Sequence, residues 1–79
     1  MHPTAAERRA KLRQLAEIEG YDEVDALLRA VVTDSVAPGI CVRKGCDYTT
    51  EVEPDQDRGW CEACGASTVQ SAMILAELI

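Results

Sequence analysis

Apolar residues fall at Leu12, Leu15 and Ala16 with Ile18 beside them, and again at Val24, Leu27, Leu28, Val31 and Val32. The second set recurs at i, i+3, i+4, i+7 and i+8, the stripe of an amphipathic helix. The first lies in "AAERRAKLRQLAEIE", a run of strong helix formers that predicts a helix of its own. Thr4 and Glu7 have the spacing of a capping box. Gly20 stands where a left-handed residue ends a helix, and Asp22 where an N-cap opens the next. The second helix is expected to stop near Ser35, because Pro38-Gly39 breaks its pattern. Residues 1–38 therefore predict a helical hairpin.

The texture changes after Cys46. "DYTTEVE" alternates and is rich in β-formers, which predicts a strand. "PDQDRG" is a turn-rich connection, and "GWCEACG" begins a second short strand or knuckle. Ser67 and Gln70 have the spacing of another capping box, so "TVQSAMILAELI" predicts a closing helix. Its Val69, Ala72, Met73, Ile74, Leu75, Ala76, Leu78 and Ile79 leave almost no polar face. Such a helix needs enclosure, either by the hairpin or by another chain.

Size and composition sharpen that need. A chain of 79 residues makes one domain, and a domain this short buries only about 60% of its unfolded surface. It has no Phe, one Trp and two Tyr, so the largest core-forming side chains are scarce. Chains of this size add a disulfide, a metal or an oligomer interface. "MHPTAAERRAK" lacks the apolar core of a secretory signal, and no run of about 18 apolar residues is present. The expected location is the cytoplasm, without membrane association; thiols stay reduced there.

Four cysteines then become the leading chemistry. Cys41 and Cys46 form a C-x4-C pair in "GICVRKGCDY", and Cys61 and Cys64 a C-x2-C pair in "GWCEACGAST", with fourteen residues between the pairs. A zinc ion takes four soft ligands at tetrahedral corners. Each short chelate loop supplies one edge of that tetrahedron, and a β-hairpin brings the two edges together. Gly65 follows the second knuckle, and Gly45 gives the longer loop a flexible corner. Cys41, Cys46, Cys61 and Cys64 are the expected ligands of one structural Zn²⁺, with disulfides or free thiols as the other reading. Four thiolates fill the shell and leave no open position for catalysis. The single histidine, His2, lies near the terminus, so a nucleophilic triad has no base. The chain is expected not to be an enzyme.

The order of knuckle, hairpin, knuckle and helix over residues 39–79 resembles zinc-ribbon and treble-clef proteins. "CDY" and "GWCEACG" are similar to the matching parts of rubredoxins, whose four cysteines hold iron. The likeness to small four-cysteine zinc-ribbon proteins of bacteria and their phages implies a regulatory or partner-binding role. The first pair here is C-x4-C rather than C-x2-C, and the connecting loop is shorter than in rubredoxins. An iron electron carrier is accordingly the last of the three functions weighed.

Charge separates the other two. The net charge is -6. Residues 1–16 carry Arg8, Arg9, Lys11 and Arg13 against Glu7, a balance of +3; the rest carries four basic and thirteen acidic residues, -9. That acidity disfavours phosphate backbones and favours protein partners. Ala16 and Gly20 have the spacing of a helix-turn-helix turn, yet Asp22, Glu23 and Asp25 occupy the positions that would approach DNA. Arg8, Arg9, Lys11 and Arg13, with Arg43 and Lys44 in the first knuckle, are the nucleic-acid candidates; a solvated face is the plainer reading. Glu51, Glu53, Asp55 and Asp57 read as a charged hairpin edge. Trp60 is expected to pack over the metal site and against the last helix.

The sequence thus predicts a small α+β zinc-binding domain: a helical hairpin (1–38) joined to a four-cysteine zinc ribbon with a terminal helix (39–79), forming one compact unit. Its expected function is a non-enzymatic protein-interaction or regulatory module, engaging a protein partner or a second copy through the C-terminal helix. A nucleic-acid-binding transcriptional regulator is the alternative.

Overall fold

A computed structural model describes residues 3–78; His2 and Ile79 lie outside the described residues. Two helices, four strands and a short third helix follow one another: α1 (Ala5–Ile18), α2 (Val24–Val31), β1 (Ala37–Cys41), β2 (Thr49–Val52), β3 (Gly59–Cys61), β4 (Ala66–Ser71) and α3 (Ala72–Leu75). The α+β class is as the sequence predicts. The strands form one antiparallel sheet in the order β2-β1-β4-β3.

Local signals set the helix ends. The Thr4 hydroxyl accepts from the Glu7 N–H at 3.1 Å, and the Glu7 carboxylate accepts from the Thr4 N–H at 2.8 Å. The bond from the Thr4 backbone N–H, aided by the Thr4 hydroxyl, holds the Glu7 carboxyl below its usual range. At the other end Gly20 adopts φ 87°. Its N–H donates to Glu17 at 3.1 Å, and that of Tyr21 donates to Ala16 at 2.8 Å. This pair of bonds is a Schellman closure, which a residue without Cβ makes at least cost. The second helix begins one residue later than expected: Glu23, not Asp22, is its N-cap, with no side-chain capping bond. It also ends sooner, at Val31, with Val32 left exposed.

The larger correction concerns the second half: β2 and β3, expected to pair as a hairpin, do not touch as a ladder but form the two opposite edges of a four-stranded sheet, with β1 and β4 between them. Residues 66–71, predicted to open a helix, instead form β4, hydrogen-bonded to β1 on one side and β3 on the other. A strand with ladders on both edges satisfies its backbone through its neighbours, and this outweighs local capping signals. The helix that follows has only four residues, Ala72–Leu75. Its cap is Ser71, whose hydroxyl accepts from the Ile74 N–H at 3.1 Å and donates to the Pro54 carbonyl at 2.5 Å. The unpredicted strand is β1, which contains Pro38 and Gly39. Pro38 lies beyond the β4 ladder, which begins at Gly39. Gly39 sits so close to its neighbours that a Cβ there would meet the Val52 and Val69 side chains at 2.9 Å.

The sheet separates two cores. Ile40 and Val42 join Leu12, Leu15, Ala16, Leu27, Val31, Ala72, Met73 and Leu75 in an aliphatic core covered by the helices. Cys41, between them in sequence, points the other way and packs with Cys61 and Val69. This is the twofold alternation of a strand. Residues from both parts of the chain thus build the helical core, and α3 contributes three buried side chains to it.

Candidate metal centre

Two knuckles, each a strand end and the turn after it, carry the cysteines. Cys41 ends β1, and Cys46 closes the loop that follows. There Gly45 takes φ 85°, and the Cys46 N–H donates to the Arg43 carbonyl at 3.1 Å. Cys61 ends β3 and Cys64 sits in the turn beyond it. In that turn the Gly65 N–H donates to the Cys61 carbonyl at 2.8 Å, and Gly65 adopts φ 67°. The sequence-derived need for glycine at both corners is met by these positive φ values.

The sheet brings the two knuckles together. The four Sγ atoms all lie within 4.8 Å of one another. Cys41 and Cys64 are 3.8 Å apart, as are Cys46 and Cys61. A regular tetrahedron with metal–sulfur arms near 2.3 Å has edges of about 3.8 Å. A disulfide needs sulfurs at about 2.05 Å, and all four thiols are free. Both of these contacts run between the knuckles, and with all four sulfurs within 4.8 Å the cluster is a single cage rather than two separate pairs. Cys41 and Cys61 are fully buried, whereas Cys46 and Cys64 are half-buried.

Hydrogen bonds from N–H and hydroxyl donors reach some of the sulfurs, and the thiols differ in how readily they ionise. The Cys64 N–H donates to Cys61 Sγ at 3.3 Å. Thr68 Oγ1 lies 3.0 Å from Cys41 Sγ, and toward a thiolate it is the hydroxyl that donates. Burial pushes the Cys41 thiol up, but the bonds from Thr68 and from the Arg43 backbone outweigh it, and the thiol falls to about 7. At Cys46 the Tyr48 backbone N–H favours the thiolate; burial and the sulfurs of Cys41 and Cys61 overcome it and raise the thiol. The Cys64 thiol, hydrogen-bonded to Cys46 and desolvated, is pushed up to about 12. Four adjacent sulfurs thus resist simultaneous ionisation in the absence of a cation. A bound divalent ion removes that resistance, because it displaces the protons. Four soft donors at tetrahedral separations fit zinc or iron and suit hard, oxygen-seeking ions poorly.

No protein-family model matches the chain, and comparison with curated proteins and with solved structures returns no match. The cluster therefore stands on its own geometry: four cysteines positioned to hold a metal ion.

The other candidates are dispersed. Trp60 is 58% exposed. The β3 alternation turns Gly59 and Cys61 inward and Trp60 outward, so the expected packing over the site is absent. Arg8 pairs with Glu77 at 2.5 Å. Arg9 and Arg13 line a groove with Glu17, Asp22, Glu23 and Asp25. Lys11, grouped with these arginines in the sequence, is 8% exposed and donates to the Cys46 carbonyl. The basic cluster of α1 is thus split among three environments. Arg43 and Lys44 are exposed in the first loop, and Glu51, Glu53, Asp55 and Asp57 are exposed along and beyond β2.

Two residues at the site escaped the sequence reading. Thr68 is concealed by the helix predicted there. Lys11 is one residue before Leu12 and four before Leu15, a helical spacing that places it at the margin of the buried stripe. Among the described residues, no helix is long and apolar enough to cross a membrane.

Proposed function

We propose that this chain is a non-enzymatic, zinc-stabilised interaction or regulatory module, in which Cys41, Cys46, Cys61 and Cys64 hold one structural Zn²⁺. The observation that carries the reading is the cage of four sulfurs within 4.8 Å, with 3.8 Å edges between the knuckles. Four thiolates complete the coordination shell and leave no open position for water or substrate. The C-x2-C-G knuckle of Cys61, Cys64 and Gly65, similar to those of zinc-ribbon proteins, supports the same assignment. Zinc is preferred to iron because the first pair is C-x4-C and the loop between the pairs is shorter than in the rubredoxins that hold iron.

A protein is the favoured partner. The chain is acidic, and its exposed apolar side chains, Trp60, Val32, Val36, Ile18 and Leu78, offer contact area. With α3 short and its Ala72, Met73 and Leu75 buried within the chain, contact through the C-terminal segment would centre on Leu78. Nucleic acid is less favoured, since Arg8 is paired and Lys11 is buried. A native mass spectrum of protein purified without added metal tests the assignment. One zinc per chain is the expected result, and subunit number appears in the same spectrum. A metal-free chain with four thiols, or with two disulfides, would overturn it.

A further inference from the structure

Lys11 is the only basic residue buried among the described residues. A buried ammonium ordinarily pairs with a carboxylate. Lys11 has no such partner among the described residues, where the one ion pair is Arg8–Glu77. Its Nζ donates instead to the backbone carbonyl of Cys46. Leu12 and Leu15, its neighbours on α1, lie in the aliphatic core. A cation in such surroundings needs negative charge nearby. An occupied cysteine cluster would provide it: a divalent ion with four thiolates carries a net charge of -2. Arg43 and Lys44 are exposed, so water screens whatever they contribute.

The same contact has a mechanical consequence. The C-x4-C loop is longer than a C-x2-C knuckle and turns through Gly45 at φ 85°. It therefore has more freedom to misplace Cys46. The Cys46 N–H is held from inside the loop by Arg43 at 3.1 Å. Its carbonyl is held from outside, by α1, through Lys11.

We propose that Lys11 is a positioning residue of the metal centre, anchoring Cys46 and offsetting the negative charge of the occupied cluster; this rests on the metal-binding reading above. The test uses the full chain and the variants Lys11→Met, Lys11→Arg and Lys11→Gln. Zinc affinity is measured by competition with a chromophoric chelator, and reduction potential after iron is substituted for zinc. Residues beside metal ligands typically change affinity by about 10–100-fold, and Lys11→Met is expected to lose about tenfold, with Lys11→Arg retaining most of the affinity. A four-thiolate iron centre gains negative charge on reduction, so removing a nearby cation shifts its potential to more negative values. Lys11→Met should show that shift and Lys11→Arg should not.

Wild-type affinity and an unchanged potential in Lys11→Met would overturn the proposal while leaving the metal reading intact. A wild-type chain that takes up neither zinc nor iron would remove both. If Lys11→Met does not fold, the comparison passes to Gln and Arg. Loss in Gln but not in Arg supports the charge role. Equal loss in both overturns it, because that is the result of altered shape.

Discussion

The two faces of the sheet are built on different principles. The helical face buries ten residues, all aliphatic or Met, drawn from three helices and β1. On the opposite face the buried apolar cluster is Cys41, Cys61 and Val69, with Cys46, Tyr48, Val52 and Cys64 packed partly around them. Burial of a Leu or Ile side chain contributes about 1.5–3 kcal/mol, and the helical face has many such residues. The cysteine face has few, and four of its members are thiols whose chemistry favours a cation over mutual contact. Strand β1 belongs to both, since Ile40, with Val42 just past the strand, points one way and Cys41 the other. One face can hold itself by excluding water; on the function proposed above, the other depends on a bound ion.

If that contrast is right, the largest effect comes from Cys61→Ala. A structural zinc site contributes about 10 kcal/mol or more of folding free energy in small peptides. The variant should lose stoichiometric zinc and unfold far below the wild-type Tm, as read by circular dichroism. Retention of one zinc per chain in Cys61→Ala would break the comparison at its centre.

Leu15→Ala attacks the other face. Leu15 is fully buried, and such truncations cost about 2–5 kcal/mol. Denaturant titration should show that loss, while zinc content remains one per chain. Gly39→Ala strikes the strand shared by both faces. Its Cβ would lie 2.9 Å from Val52 and Val69 and 3.1 Å from the Gln70 carbonyl. Overpacking of this kind costs about 1–3 kcal/mol, measurable as a lower denaturation midpoint.

Two smaller effects refine the picture. Thr68→Val keeps the shape and removes the hydroxyl beside Cys41. The Cys41 thiol should then rise, and zinc affinity should fall by about 1 kcal/mol, roughly fivefold in chelator competition. Trp60→Ala should change stability by less than about 0.5 kcal/mol, since the side chain is mostly exposed and such surface changes are nearly neutral. A larger loss would mean that Trp60 supports the cysteine face after all.

What the sequence discloses follows the same division. Thr4, Glu7 and Gly20 act through bonds to residues a few positions away, and their roles are legible without any tertiary information. The cysteine set is legible because chelate spacing is also local. β4 is not, because Ser67 and Gln70 mimic a capping box, while the strand is decided by partners in β1 and β3 that are distant in sequence. The actual cap, Ser71, lies four residues further on. β1 is masked by Pro38-Gly39: the proline is tolerated because it lies past the β4 ladder, and the glycine is required by close approach of two valines. Lys11 is misread for a similar reason. Its charge groups it with Arg8, Arg9 and Arg13, whereas its helical phase places it beneath Cys46. Residue type suggested solvent, and position determined burial.

The most direct test of the two-face account is amide hydrogen exchange on zinc-loaded protein, with and without a strong chelator. The account predicts that chelation opens the amides of residues 41–48 and 59–69 first, with α1 and α2 keeping more of their protection. Unchanged exchange around the cysteines after the metal has been removed would contradict it, because the cysteine face would then hold together without an ion.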